Sequence, residues 1–374
     1  MIILVNTTNL SSGGGLQVAD SFCKTLNTYT GKHRFIVVLS SFLKNTGEYI
    51  KGYENVEVFF YDITNSLSTL IFGRDKFLDN LVKEKNVDMV FTVFGPSRWN
   101  PKVKHLSGFA MSQIVMKESP FYTIINAKQK LKWFIGNRVR KHLFKRSTHL
   151  FYTENKEITR RLQLLFKKAK CYTVTNYYNQ IYDNPSLWKQ KTLPQFDGYT
   201  FLTISTYYDF KNLTISIPIA KILKQRYKDL KFRFVFTCKE SAFPQIDSNI
   251  RDNFLFIDTV DIEECPSLYE QCDIVFQPTL MECFTAVYPE AMKMNKPILT
   301  VDLPFATGLC GKAVEYYSPL SPEDAADKIY SLLTNEDKRE TLIAQGKEQL
   351  KSYDNYTQRS EKLINIMEKE FLSK

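Results

Sequence analysis

Short apolar runs recur along this chain, and between them apolar positions return every three or four residues. In the first half the runs are Ile2–Val5, Phe35–Ser40, Val56–Tyr61 and Asp88–Val93. A run such as Ile36-Val37-Val38-Leu39 has no polar position to turn toward water, so it suits a strand covered on both faces. Gln17–Leu26 and Lys76–Lys85 have helical spacing, and Lys102–Gln113 reads as a further strand. Strands separated by helices predict a parallel, doubly wound sheet. The polar stretch Asn179–Gly198, with Pro and Asn, breaks this rhythm and reads as a linker. Strands then return at Tyr199–Ser205, Phe232–Thr237, Phe254–Ile257, Ile274–Gln277 and Ile298–Val301. Helical patterns cover Leu213–Tyr227, Tyr288–Met294, Pro322–Leu333, Glu336–Tyr353 and Tyr356–Leu372. Pro218 is expected to break or kink the first of these. The expected fold class is α/β, with one Rossmann-like domain at residues 1–180, a linker at 181–198, a second such domain at 199–353 and a C-terminal helix at 354–374.

Length and composition agree with this picture. A chain of 374 residues is too long for one small core. Apolar residues make up 44% and charged residues 24%, as in ordinary globular proteins. No uninterrupted apolar run reaches the roughly 18 residues that cross a bilayer. The start, MIILVN, lacks the basic region of a signal peptide and reads as a buried strand. Seven cysteines are scattered without a C-x-x-C pair, which argues against a disulfide framework or a structural zinc. A cytoplasmic location is the expectation.

Charge changes the picture at one place. The net charge is +10, and the segment KQKLKWFIGNRVRKHLFKR, Lys128–Arg146, holds eight Lys/Arg and no acid. Leu131, Phe134, Ile135, Val139 and Leu143 recur within it at helical spacing, with Trp133 and Phe144 beside them. A basic amphipathic helix with aromatics suits an anionic membrane surface. It equally suits a helix whose apolar face packs into its own domain. No nucleic-acid recognition motif accompanies it, so nucleic acid is not an expected partner.

Candidate chemistry concentrates at VFQPTLMECFTAVYPEAMKMNKPILTVD, Val275–Asp302. Glu282 and Glu290 stand eight positions apart, after one strand and before another. A helix starting near Phe284 would set its positive end beside Glu282. In the first domain, Ser11-Ser12-Gly13-Gly14-Gly15 follows the first strand. Glycines there let backbone N–H groups approach a phosphate closely. The loop is not G-x-G-x-x-G, so a dinucleotide site is disfavoured. No D-x-D pair, H-E-x-x-H, P-loop or G-x-S-x-G occurs.

With Leu-Tyr-x-x-Cys-Asp upstream (Leu268–Asp273) and Lys-Pro-Ile-Leu downstream (Lys296–Leu299), the block resembles the E-x7-E signature of retaining GT-B glycosyltransferases. More narrowly, it resembles glycosyltransferase family 4, the group that includes bacterial polysaccharide and lipopolysaccharide enzymes. The resemblance implies two Rossmann-like domains facing a cleft, with the C-terminal helix packing back on the first domain. It implies that Lys211 holds the donor diphosphate and acts catalytically with Glu282, which lies near the transferred sugar. Glu290 would accept hydrogen bonds from the nucleotide ribose. Phe284, Thr285 and Ala286 would offer backbone N–H groups, and Val260 would cradle the base. Gly14 and Gly15 would meet the donor. Thr206 stands where the family often has arginine, and Cys283 and Thr285 stand where it has glycine. The acceptor side would include Gly13, Gly95, His105 and Ser112. No metal or other cofactor is implied.

The resemblance further implies transfer from a UDP-sugar, or next a GDP-sugar, to a saccharide, lipid-linked and destined for a bacterial surface polysaccharide such as lipopolysaccharide or capsule. The enzyme would act at the cytoplasmic face of the membrane. A sugar-nucleotide epimerase or hydrolase of the same fold, or a non-catalytic partner of a transferase, are the alternatives.

Overall fold

The computed structural model describes residues 1–373 apart from Asn65 and Leu67. The chain divides into two units. One comprises residues 1–117, 126–179 and 354–374, the other residues 118–125 and 180–353.

The first unit carries seven strands: β1 (Ile2–Asn6), β2 (Arg34–Leu39), β3 (Val56–Phe60), β4 (Met89–Thr92), β5 (Lys104–Gly108), β6 (Leu150–Thr153) and β7 (Lys170–Thr173). Their order is β3-β2-β1-β4-β5-β6-β7, and all pairs are parallel. Alternate residues sort to opposite faces, as the two-residue period of a strand requires. Ile3, Val5, Phe35, Val37 and Leu39 join one core with Val18 and Phe22. Leu4, Ile36, Val38 and Val90 join another with Leu78, Leu81 and Trp99. Helix Tyr356–Leu372 adds Leu363, Ile364 and Met367 to the first of these cores. Its Glu370 accepts hydrogen bonds from Lys170 Nζ (2.8 Å) and the Tyr172 hydroxyl (2.5 Å).

The second unit repeats the plan with β8 (Tyr199–Thr203), β9 (Phe232–Phe236), β10 (Phe254–Phe256), β11 (Ile274–Gln277), β12 (Ile298–Val301) and β13 (Glu315–Tyr317). The order is β10-β9-β8-β11-β12-β13, again parallel. In each unit the order reverses next to the first strand, between β1 and β4 and between β8 and β11. Open α/β sheets bind ligands beyond the carboxyl ends of the strands at such switch points.

Readings of the sequence differ from the structure at several places. The strand expected over Lys102–Gln113 stops at Gly108, and Ser112–Val115 forms a helical turn. Phe109 is apolar because it is buried beyond the strand end. Pro218 does not break a helix: it lies in the first turn of helix Ser216–Arg226, where backbone N–H groups have no intrahelical acceptor anyway. The stretch 181–198 is seated on the second unit. Its backbone N–H groups at Lys189, Lys191 and Leu193 donate to Glu263 O, Ser267 Oγ and Gln271 Oε1, each at 2.9 Å.

Candidate functional site

The loops that leave β8 and β11 hold the strongest candidates. They are joined where the Leu280 N–H donates to the Phe210 carbonyl at 2.8 Å. Beside this bond the Lys211 ammonium pairs with Glu282 Oε1. The Thr279 hydroxyl donates to the same oxygen at 3.0 Å. The Lys211 and Glu282 side chains are 15% and 12% exposed, so this is a shielded pair, unlike the solvated charge expected of a lone surface residue. Asn212 ends the turn Asp209–Lys211 with φ 53, a left-handed conformation that asparagine tolerates.

A segment distant in sequence supports these loops. Within Glu118–Ile125, the Ser119 hydroxyl donates to the Leu280 carbonyl at 2.8 Å. Phe121 meets the Phe210 ring edge-on at 6.4 Å. Sequence reading misses Ser119, because an isolated serine in irregular chain carries no periodic signal.

The helix after Glu282 spans Val287–Lys293, so it begins three residues later than the sequence suggests. Among the described residues, the backbone N–H groups of Phe284, Thr285 and Ala286 have no hydrogen-bond partner. Glu290 is buried in that helix. The Tyr269 hydroxyl donates to its Oε2 at 2.9 Å, and the Tyr182 hydroxyl also bonds to the carboxyl. Burial pushes the Glu290 carboxyl up to about 7, against the opposing effect of the two tyrosine bonds. A carboxylate has about four acceptor positions, so both tyrosines leave room for two further donors.

The other second-unit candidates lie nearby in sequence but are less engaged. Thr206 is exposed on the loop after β8. Val260 is half-buried beyond β10, next to exposed Thr259. Cys283 and Thr285 are buried, and the Phe284 ring lies edge-on to Tyr353 at 6.1 Å.

In the first unit, the glycine loop and Gly95 flank the β1/β4 switch point. Asn9 Nδ2 links the two loops by donating to the Phe94 carbonyl at 2.6 Å. Gly13 has φ 70, and a side chain there or at Gly14 would meet open space. Gly95 is different: an added Cβ would lie 2.6 Å from Phe144 and 2.7 Å from Ser107 Oγ, so packing requires the glycine. Ser112 is buried at the start of its helical turn. The structure gives His105 a place in the sheet layer. Its Nε2 lies 2.8 Å from Thr92 Oγ1 and its Nδ1 2.7 Å from the Ser147 carbonyl. Burial lowers its pKa to about 4. With both ring nitrogens engaged inside the protein, His105 offers no edge to an acceptor.

Among the described residues, no three His, Cys, Asp or Glu side chains gather into a group that could hold a metal ion. No helix among them is long and apolar enough to cross a membrane. All seven cysteines are free thiols.

The comparisons with known proteins bear first on the second unit. Residues 186–349 match the family of glycosyl transferases group 1. Lys211, Glu282 and Glu290 all lie within the matched residues. An uncharacterized glycosyltransferase of Methanocaldococcus jannaschii is 27% identical over 141 residues, covering 35% of this chain and 39% of that relative. The match thus spans well under half of the relative's length. Solved structures share the whole fold. Sucrose-phosphate synthase from Thermosynechococcus elongatus aligns over 100% of this chain and 99% of its own, at 12% identity and TM-score 0.72. HepE of Anabaena, solved in complex with UDP and glucose, covers 98% and 99% at 12% identity and TM-score 0.65. WaaG, a glycosyltransferase involved in lipopolysaccharide biosynthesis, covers 98% and 99% at 13% identity and TM-score 0.65. The chain therefore has the GT-B fold of glycosyltransferases, two parallel-sheet α/β domains.

Proposed function

We propose that this protein is a retaining glycosyltransferase. It moves a sugar from a nucleoside diphosphate donor, UDP-sugar first and GDP-sugar next, to a saccharide acceptor. One observation carries the reading: the shielded Lys211–Glu282 pair spans the two loops at the switch point of the group 1 segment, with Glu290 eight residues further on. The HepE structure with bound UDP-glucose supports the donor class.

In this reading Lys211 holds the non-bridging phosphate oxygens as a compact ammonium. It also offsets the charge that grows on the departing nucleotide. Glu282 keeps that ammonium in place and faces the sugar. The free N–H groups of Phe284, Thr285 and Ala286 bind sugar and phosphate oxygens, and Val260 packs on the base. Departure proceeds through an oxocarbenium-like state, with attack on the same face. Lys211 supplies the positive charge, so the reaction is proposed to be metal-independent. The acceptor is proposed to be a lipid-linked saccharide of bacterial surface polysaccharide synthesis, presented at the cytoplasmic membrane face.

The test is nucleotide release from UDP- and GDP-sugars, with and without a saccharide acceptor. Release that depends on the acceptor is the expected result. Equal release without acceptor would assign the site to a hydrolase. A sugar isomerised without release would assign it to an epimerase.

A further inference from the structure

The basic helix Ala127–Ser147 has two unlike faces. Trp133, Gly136, Asn137, Arg140, Leu143, Phe144 and Ser147 are buried or half-buried, at the three- and four-residue spacing of one helix face. Phe144 packs on Phe109 and Phe151, with ring centroids 5.0 and 5.8 Å apart. The opposite face carries Leu131, Phe134, Ile135 and Val139, exposed by 59%, 59%, 54% and 53%. Four large apolar side chains in one outward stripe are not needed for the unit's own core. Such stripes mark an interaction surface. A second apolar element adjoins the end of this helix. Arg146 donates to the carbonyls of Leu70 (2.8 Å), Ile71 (3.0 Å) and Thr69 (3.1 Å). This fixes a turn whose Ile71 and Phe72 side chains are also exposed.

The charge around the stripe is one-sided. Lys128, Lys130, Lys132, Arg138 and Lys145 are exposed on this helix. Among the described residues, no carboxylate pairs with any of them. Arg138 lies 5.7 Å from the centre of the Phe134 ring, so cation and aromatic point the same way.

We infer that the outward face of helix Ala127–Ser147, together with the turn Ser68–Phe72, docks on an anionic phospholipid surface. A bilayer interface supplies both things this face lacks, acyl chain for the stripe and negative headgroups for the cations. A second copy of the chain supplies the first but not the second, because the same cations would then face each other. Burial, followed by the like charges of Lys117, Lys145 and Arg138, already holds the Lys141 ammonium below its usual pKa. The 21-residue helix is about 30 Å long at roughly 1.5 Å per residue, so lying flat it engages the surface along its whole stripe. This inference concerns docking alone and stands apart from the transfer chemistry.

The experiment is flotation of the full chain with neutral phosphatidylcholine vesicles and with vesicles that also contain phosphatidylglycerol. The expected result is flotation with the anionic vesicles only, weakening as salt is added. F134S/I135S and K132Q/R138Q/K145Q should each lose it. Each lost cation near the surface weakens binding about fivefold, so the charge variant should fall about a hundredfold. Because these side chains are exposed, circular dichroism should show both variants folded. The UDP thermal shift, which reads the second unit, should stay at the wild-type value, so failure of docking and failure of the transferase reading are told apart. Three results would overturn docking on lipid. One is a wild-type protein that stays down with anionic vesicles. Another is flotation that both variants retain. The third is a dimer in ultracentrifugation that F134S/I135S turns into a monomer, which would assign the stripe to a second copy.

Discussion

Replacing Lys211 with alanine should lower kcat/KM for the donor by about 10²–10³, the scale seen when one preorganised charge-stabilising group is removed from a reaction centre. The argument is electrostatic. The nucleotide leaves with extra negative charge, and Lys211 is the cation fixed at the switch point by a shielded partner. Because the loss falls mainly on the departing state, kcat should drop more than KM rises. Lys211→Ala also leaves Glu282 without its cation. A partner loss of this kind has a structural cost of its own, so the informative design is a double-mutant cycle with Glu282→Gln. Equal effects in the single and double variants would show that the pair acts as a unit. Near-normal kinetics in Lys211→Ala would overturn its assignment.

Glu290→Gln should raise the donor KM at least about tenfold, since hydrogen bonds to a charged acceptor contribute about 1.5–3 kcal/mol each. Glutamine keeps the shape and can still bond Tyr269 and Tyr182, so the loss should read on donor binding more than on folding. The pH dependence gives a sharper signature. With the folded carboxyl near 7, the ionised form needed for the ribose hydroxyls grows as pH rises through that value. Wild-type donor affinity should therefore strengthen through pH 7 and then level off, while Glu290→Gln stays flat. Stability moves the opposite way. A carboxyl raised from 4.5 to about 7 in the folded state favours folding when protonated. Its contribution is complete below 4.5 and is lost as pH rises through about 7. Denaturant midpoints across this window should fall for the wild type relative to Glu290→Gln. Parallel curves would show that Glu290 does not titrate there.

Much of the fold was legible because its strands are buried on both faces. Ile36–Leu39 and Ile274–Phe276 are continuous apolar runs, and continuity is what two covering layers impose. β7, Lys-Cys-Tyr-Thr, and β13, Glu-Tyr-Tyr, gave no such signal. They are short strands at the sheet edges, mostly half-buried, and three or four residues are too few to show a continuous apolar run. The strand at Lys102 was read too long because the apolar pattern continues through Phe109 into a buried loop. Within the candidate site, Lys211, Glu282 and Glu290 stood out in the sequence through the family resemblance of the E-x7-E block and of the stretch after β8. Their packing partners did not. Tyr182 and Tyr269 reach Glu290 across 108 and 21 residues, and Ser119 reaches Leu280 across 161, so only the folded chain brings them together. The basic helix shows a further limit. Its periodicity announced an apolar face, but only the structure shows that Leu131, Phe134, Ile135 and Val139 turn outward while Leu143 turns in.

The central claim is that the second unit's switch point binds a nucleoside diphosphate through Lys211 and Glu290. The most direct measurement is thermal unfolding with UDP, GDP, ADP and CMP, each with EDTA and with Mg²⁺. A ligand that binds only the folded state at a hundredfold excess over Kd stabilises it by about 2.7 kcal/mol. The account predicts a selective rise in Tm with one diphosphate, UDP before GDP, unchanged by EDTA and lost in Lys211→Ala. No rise with any of the four nucleotides, or a rise that Lys211→Ala retains in full, would contradict it.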